Sequence, residues 1–187
     1  MNSEESKTLI KEIDNSITVQ LAKLVSYSQT LEFEKVCEFI LDENIHTICD
    51  AQYSYPGLYL FDIRSEEQGG KVKKWMDEFT DLWRSEAYHL QWTPGIKNIR
   101  KRAHTEIDDW VPLYIGKSKN VGNRINEHIL KELKKTTFAM KLKARKNLYG
   151  RTFRIKVLKM DVENYDVLVP HLELLLRNIL NPIVGKQ

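Results

Sequence analysis

Two short apolar runs constrain this chain more than any other feature: Gly57–Ile63 reads GLYLFDI, and Val111–Gly116 reads VPLYIG. β-Branched and aromatic residues suit a pleated, half-buried surface, so each run is expected to be a strand. The runs carry Gly57-Leu58-Tyr59 and Tyr114-Ile115-Gly116, and two phenols can thus project from neighbouring strands toward one spot. The second run leads into Lys117-Ser118 and then VGNRINEHIL, where Val121, Arg124, Ile125, His128 and Ile129 recur at helical spacing. Arg124 and His128 stand one helical turn apart on the same face. Two tyrosines, a lysine, an arginine and a histidine gathered in this way suit a site for a phosphodiester.

The ordered set resembles the GIY-YIG nuclease superfamily: a Gly-Ile-Tyr strand, a Tyr-Ile-Gly strand followed by Lys and Ser/Thr, and a helix bearing Arg and often His. Leu58 stands where the name implies Ile, and the later glutamate of the pattern would be Glu173 in HLELLLRNIL, trailed by Asn181-Pro182. Two departures stand out. Tyr59 and Tyr114 are 55 residues apart, where many members have only a tight turn, although some restriction enzymes of the superfamily carry an insertion there. Gly185 occupies the neighbourhood in which many members place an asparagine, leaving Asn181 as the possible support for the site. The resemblance implies catalytic roles for Tyr59, Tyr114, Lys117, Arg124, His128 and Glu173. Glu173 would be the ligand of Mg²⁺ (or Mn²⁺), which needs few carboxylates because it keeps several waters.

Read from the residues alone, Glu173 sits between Leu172 and Leu174, and a carboxylate among leucines is costly unless paired or metal-bound. The simpler alternative is an ion pair with Arg177 at i+4. Arg124 offers a planar fork that suits a phosphate. The resemblance makes Tyr59 the preferred water activator, with Lys117, Arg124 and the metal needed to depress a phenol that otherwise titrates near 10. Tyr114 orients the water or the phosphate, and His128 either accepts the phenolic proton or positions Tyr59.

The net charge of +3 conceals an asymmetry. Residues 1–66 hold five Lys/Arg against twelve Asp/Glu, while Lys117–Lys159 holds fourteen basic side chains against Glu127 and Glu132. Such a stretch is either a solvated basic face or a polyanion surface, and its overlap with the motif favours the second. Candidate DNA contacts are Arg100, Lys101, Arg102, Lys119, Lys135, Lys141 and Arg145, with Asn98, Arg100, Arg102 and Arg145 as candidate base readers. Cys37 and Cys49 have no metal-type spacing and read as buried free thiols of a cytoplasmic protein. The acidic, polar N-terminus is unlike a secretory signal, and no apolar run is long enough to span a membrane.

The fold expected is α/β (α+β): a small mixed or antiparallel three-stranded sheet flanked by helices. Residues 1–50 would be an acidic helical extension, with an Ile10, Ile13, Ile17, Leu21, Leu24 stripe and a second helix around Leu31–Leu41, able to mediate a homodimer. Residues 51–187 would be the nuclease domain, interrupted by a helical insertion over 65–109. In that insertion Ser65–Gly70 is a loop, Val72, Trp75, Met76, Phe79, Leu82 and Trp83 form a core-facing helical stripe, and Thr93-Pro94 opens another helix. Thr136–Lys146 is expected to be a basic helix, TFRIKVLKM a strand, and Pro170 an early residue of the last helix. The function implied is metal-dependent cleavage of DNA, as duplex, by a site-specific restriction-type endonuclease. The alternatives are a repair or mobile-element nuclease, a non-cutting nucleic-acid-binding module of the same fold, and an interaction protein assembled through the N-terminal helices.

Overall fold

The computed structural model describes residues 3–65, 72–88, 91–106 and 108–185; the expected loop at Gly69-Gly70 lies outside them. In chain order the elements are α1 (Ser3–Ser28), β1 (Glu34–Ile40), β2 (Gly57–Arg64), α2 (Val72–Arg84), β3 (Gly95–Ile96), α3 (Asn98–Ala103), β4 (Trp110–Ser118), α4 (Val121–Leu130), β5 (Thr152–Lys159), α5 (Tyr165–Leu180) and β6 (Val184–Gly185). The principal sheet has four strands, ordered β1-β5-β2-β4 and antiparallel throughout. It exceeds the expected three because Glu34–Ile40 is a strand and not a helix. Residues 34–40 therefore belong to the sheet and not to a helical extension.

Strand alternation divides the core in two. Tyr59, Phe61 and Ile63 of β2, with Phe153, Ile155 and Val157 of β5, join a cluster that includes Trp75, Met76, Phe79 and Trp83 of α2 and Val121, Ile125 and Ile129 of α4. On the other face Leu58, Leu60 and Ile115 pack with Tyr165, Val169, Leu172 and Leu176 of α5. The aromatic stripe of α2 is core, as its spacing implies. Asp62, 1% exposed on the second face, is neutralised by Arg154 at 2.7 Å and Lys156 at 2.9 Å.

One irregularity sets up the site. The β2–β4 register pairs Phe61 with Tyr114 but Asp62 with Pro112, so Leu113 is an extra residue. Such a bulge reverses the facing of every residue beyond it. Tyr114 consequently lies on the same face as Tyr59, opposite to where simple alternation from Val111 would send it.

Three further expectations are corrected. Thr93-Pro94 does not open a helix: Gly95–Ile96 pairs with β6, and only Asn98–Ala103 is helical. Thr136–Lys146 is not a helix but an ordered loop with 3-10 turns at Leu142–Ala144 and Lys146–Leu148, entered through Lys141 at φ 59°. Its cations organise it from inside, since Lys141 Nζ donates to the carbonyls of Leu133 and Lys135. Arg145 donates to Met140 O at 2.9 Å, Trp83 O at 3.1 Å and Tyr88 O at 3.3 Å, with its guanidinium 4.1 Å from the Trp83 ring centre. Both side chains are fully buried, which removes Lys141 and Arg145 from any DNA surface. α1 is helical as expected and packs on α5, with Ile10, Ile13 and Ile17 of its stripe exposed. No helix among the described residues is long and apolar enough to cross a membrane.

Candidate active site

A cavity of about 430 Å³ opens along β4, the outer strand of the sheet. It is lined by Tyr59, Tyr114, Lys117, Arg124, Glu173 and Arg177, with Arg100 of the insertion and Val184 and Gly185 of the tail. Tyr59 and Tyr114 reach it from one face of the sheet, their rings stacked with centroids 6.2 Å apart. Lys117 and Glu173 meet at its other side. Gly116 permits the arrangement, because a Cβ there would overlap the Tyr59 hydroxyl and crowd the Tyr114 ring. Gly57 is required for a similar reason, since a Cβ would run into the backbone carbonyl of Leu158.

α4 supplies Arg124 and His128, and Asn120 caps its start by accepting from the Asn123 amide at 2.9 Å. Arg124 donates to Glu127 Oε2 at 2.6 Å and to Phe138 O, leaving the rest of its fork toward the cavity. His128 is fully buried and lies 2.9 Å from the Tyr59 hydroxyl through Nε2. The Met140 amide donates to its Nδ1 at 3.1 Å. That bond fixes the tautomer: an Nδ1 that accepts carries no proton, so the neutral ring holds its hydrogen on Nε2, facing Tyr59. Burial, followed by the charge of Arg124, pushes the His128 pKa well below 6.5 and keeps the ring neutral. His128 therefore donates to the phenol oxygen, and of the two roles expected for it only positioning is compatible with this geometry.

The Tyr59 pKa is driven well above 10, chiefly by burial and then by Tyr114, with the charge of Arg124 opposing. Tyr114 is raised as well, again mainly by burial. At neutral pH both phenols hold their protons.

Glu173, 7% exposed, uses both oxygens: Oε2 accepts from Lys117 Nζ at 2.6 Å and Oε1 from Arg177. Among the described residues, no group of three or more His, Cys, Asp and Glu side chains could hold a metal. Among the described residues Glu173 is the one carboxylate lining the cavity. Such a donor set fits a cation of the Mg²⁺ type, which takes its remaining oxygens from water and phosphate. It does not suit an ion that needs a cage of protein ligands.

The remaining candidates divide clearly. Arg100 lines the cavity, while Arg102 and Lys135 are exposed at a distance from its lining. Lys119 pairs with Asp166 on the surface at 2.7 Å. Lys101 pairs with Asp77 at 2.9 Å and also donates to Thr80, tying α3 to α2. Asn181 ends α5 in the left-handed conformation at φ 49°, and its side-chain amide donates to Ile179 O at 3.4 Å. It is absent from the cavity lining, so the support expected of it is not found. The space beside Gly185 is bordered instead by Arg100 and Lys97. Met140 and Phe138 fix His128 and Arg124 through main-chain hydrogen bonds, which leave no trace in the sequence, whereas Arg177 was legible as the i+4 partner of Glu173.

Cys37 and Cys49 are free, their thiols pushed up to about 11 and about 12 mainly by burial. No protein-family model, curated protein or solved structure matches this chain, and the reading of the cavity rests on its own geometry.

Proposed function

We propose that this protein is a divalent-metal-dependent endonuclease of the GIY-YIG type that hydrolyses phosphodiester bonds of duplex DNA. The observation that carries the reading is the convergence of Tyr59, Tyr114, Lys117, Arg124 and Glu173 on one cavity from four separate elements. Arg124 and Lys117 hold the phosphoryl oxygens and oppose the charge that builds there. Tyr59, protonated at neutral pH, gives up its phenolic proton to solvent and as the phenolate takes the proton of the attacking water. Its phenolate is favoured by the Nε2–H of His128 and the charge of Arg124, and Tyr114 orients the water against the phosphate. Glu173 would hold a Mg²⁺-type ion, which would supply Lewis-acid polarisation of the phosphate. The insertion brings Arg100 to the same cavity, which supports an enzyme of restriction type with a core embellished from within.

The ion pairs that occupy both oxygens of Glu173 favour a second reading, a module that binds DNA without cutting it. Plasmid incubated with Mg²⁺ or Mn²⁺ separates the two. Cleavage by the wild type should fall at least about 100-fold in Glu173→Ala, Arg124→Ala and Tyr59→Phe, the scale of a lost acid–base or electrostatic group. Retarded duplex with intact phosphodiesters under every divalent ion would establish the module instead.

A further inference from the structure

At the Gly185 end of the cavity lies a second cationic patch that this chemistry does not use. Arg100 Nη1 and Lys97 Cε each lie 3.6 Å from the point where a Cβ on Gly185 would stand, so both side chains converge beside the glycine. Neither has a carboxylate partner among the described residues, and Arg177, on the same wall, is matched only by Glu173. The patch is held by main chain. β3 pairs with β6, and the Lys97 amide donates to Ile183 O at 2.9 Å. Burial lowers the pKa of both Lys97 and Arg100, aided at Lys97 by the charges of Arg100 and Arg177 and at Arg100 by that of Arg177. Cations gathered without an anion cost stability, which a bound anion offsets. Across the cavity Arg124 and Lys117 face the position assigned to the reacting phosphate, and the patch is therefore free to take another.

We propose that Lys97, Arg100 and Arg177 form a subsite for a backbone phosphate flanking the scissile one, so that the insertion grips the same DNA strand that the catalytic cluster cuts. This rests on reading the cavity as a DNA site. The shared chemistry is a phosphate oxyanion, and the alternative source is free inorganic phosphate.

The test measures affinity for a short labelled duplex against salt, in calcium buffer, for the wild type, Lys97→Ala/Arg100→Ala and Arg100→Lys. Lys11→Ala on α1 serves as control. Losing one neutralised phosphate should reduce the slope of log affinity against log salt by about 0.9 in the double variant, with Arg100→Lys recovering part of it and Lys11→Ala unchanged. Circular dichroism melts establish that each variant is folded. An unchanged slope in the folded double variant, while the wild type still cuts plasmid, overturns the subsite and leaves the nuclease reading intact. A reduced slope in a protein that fails to cut plasmid under every divalent ion upholds the subsite and removes the nuclease. Stabilisation of the wild type by inorganic phosphate that the double variant loses, with equal duplex slopes, overturns the assignment to DNA.

Discussion

Gly116 and His128 control the position of a single phenol. Gly116→Ala puts a methyl where the Tyr59 hydroxyl now lies, and Tyr59 is 1% exposed with little room to retreat. Overpacking of this kind costs about 1–3 kcal/mol. Urea denaturation should register that loss, and plasmid cleavage should fall further than the lost stability explains, since the displaced phenol leaves His128. His128 carries a pH dependence of definite sign. Its folded pKa lies well below 6.5. The unfolded chain therefore binds more protons between the two values, and stability present above pH 6.5 is lost as pH falls through that window. The slope approaches about 1.4 kcal/mol per pH unit for one group. Urea midpoints at pH 7 and pH 5.5 should drop in the wild type and change less in His128→Gln; equal drops would assign the effect to other groups.

At the scale of elements, the loop over residues 131–148 and the strand β1 show why some structure was legible and some was not. α2 and α4 announce themselves because an apolar stripe at helical spacing must be buried, and the strands holding Tyr59 and Tyr114 because their composition suits nothing else. In Glu34–Ile40 the apolar residues Val36, Phe39 and Ile40 satisfy a helical spacing equally well, and only pairing with β5 selects the strand. The 131–148 loop looks helical and basic, yet Lys141 and Arg145 turn inward to main-chain carbonyls, a choice made by tertiary contacts. Arg145→Ala should therefore cost stability and leave DNA affinity alone. It strands the carbonyls of Met140, Trp83 and Tyr88 and opens a void beneath Trp83. About 3 kcal/mol or more is expected from such a loss. Chemical denaturation of Arg145→Ala beside a duplex titration checks both halves, and weakened binding by a fully folded variant would contradict the assignment. The same limit applied to the site. Its residue types were visible, but the Leu113 bulge that turns Tyr114 toward Tyr59, and the Met140 amide that sets the His128 tautomer, are backbone events with no side-chain signature.

For the whole molecule the decisive connection is between the insertion and the C-terminal tail. Ile183 and Val184 are buried to within 1%, Ile183 N donates to Pro112 O at 3.0 Å, and β6 pairs with β3. The tail thus lies between β4 and the insertion, holding Lys97 and Arg100 over the cavity while Pro112 anchors it to the sheet. Removing residues 183–187 deletes two core side chains as well as the main-chain pairing. Each large aliphatic truncation costs about 2–5 kcal/mol, less for valine, so a loss of several kcal/mol is expected. The loss should be uneven. The sheet retains β1, β5, β2 and β4, whereas β3 and α3 lose their backbone partner and should open at lower free energy than the rest. Limited proteolysis should then cut the truncated protein first between residues 91 and 106, at protease levels that leave the full chain whole. Hydrogen exchange should accelerate at the Gly95 and Lys97 amides, which face β6, ahead of those in β2. Simultaneous exposure of β2 and α3 would mean that the tail stabilises the entire fold as one unit, and not the attachment of the insertion to the site.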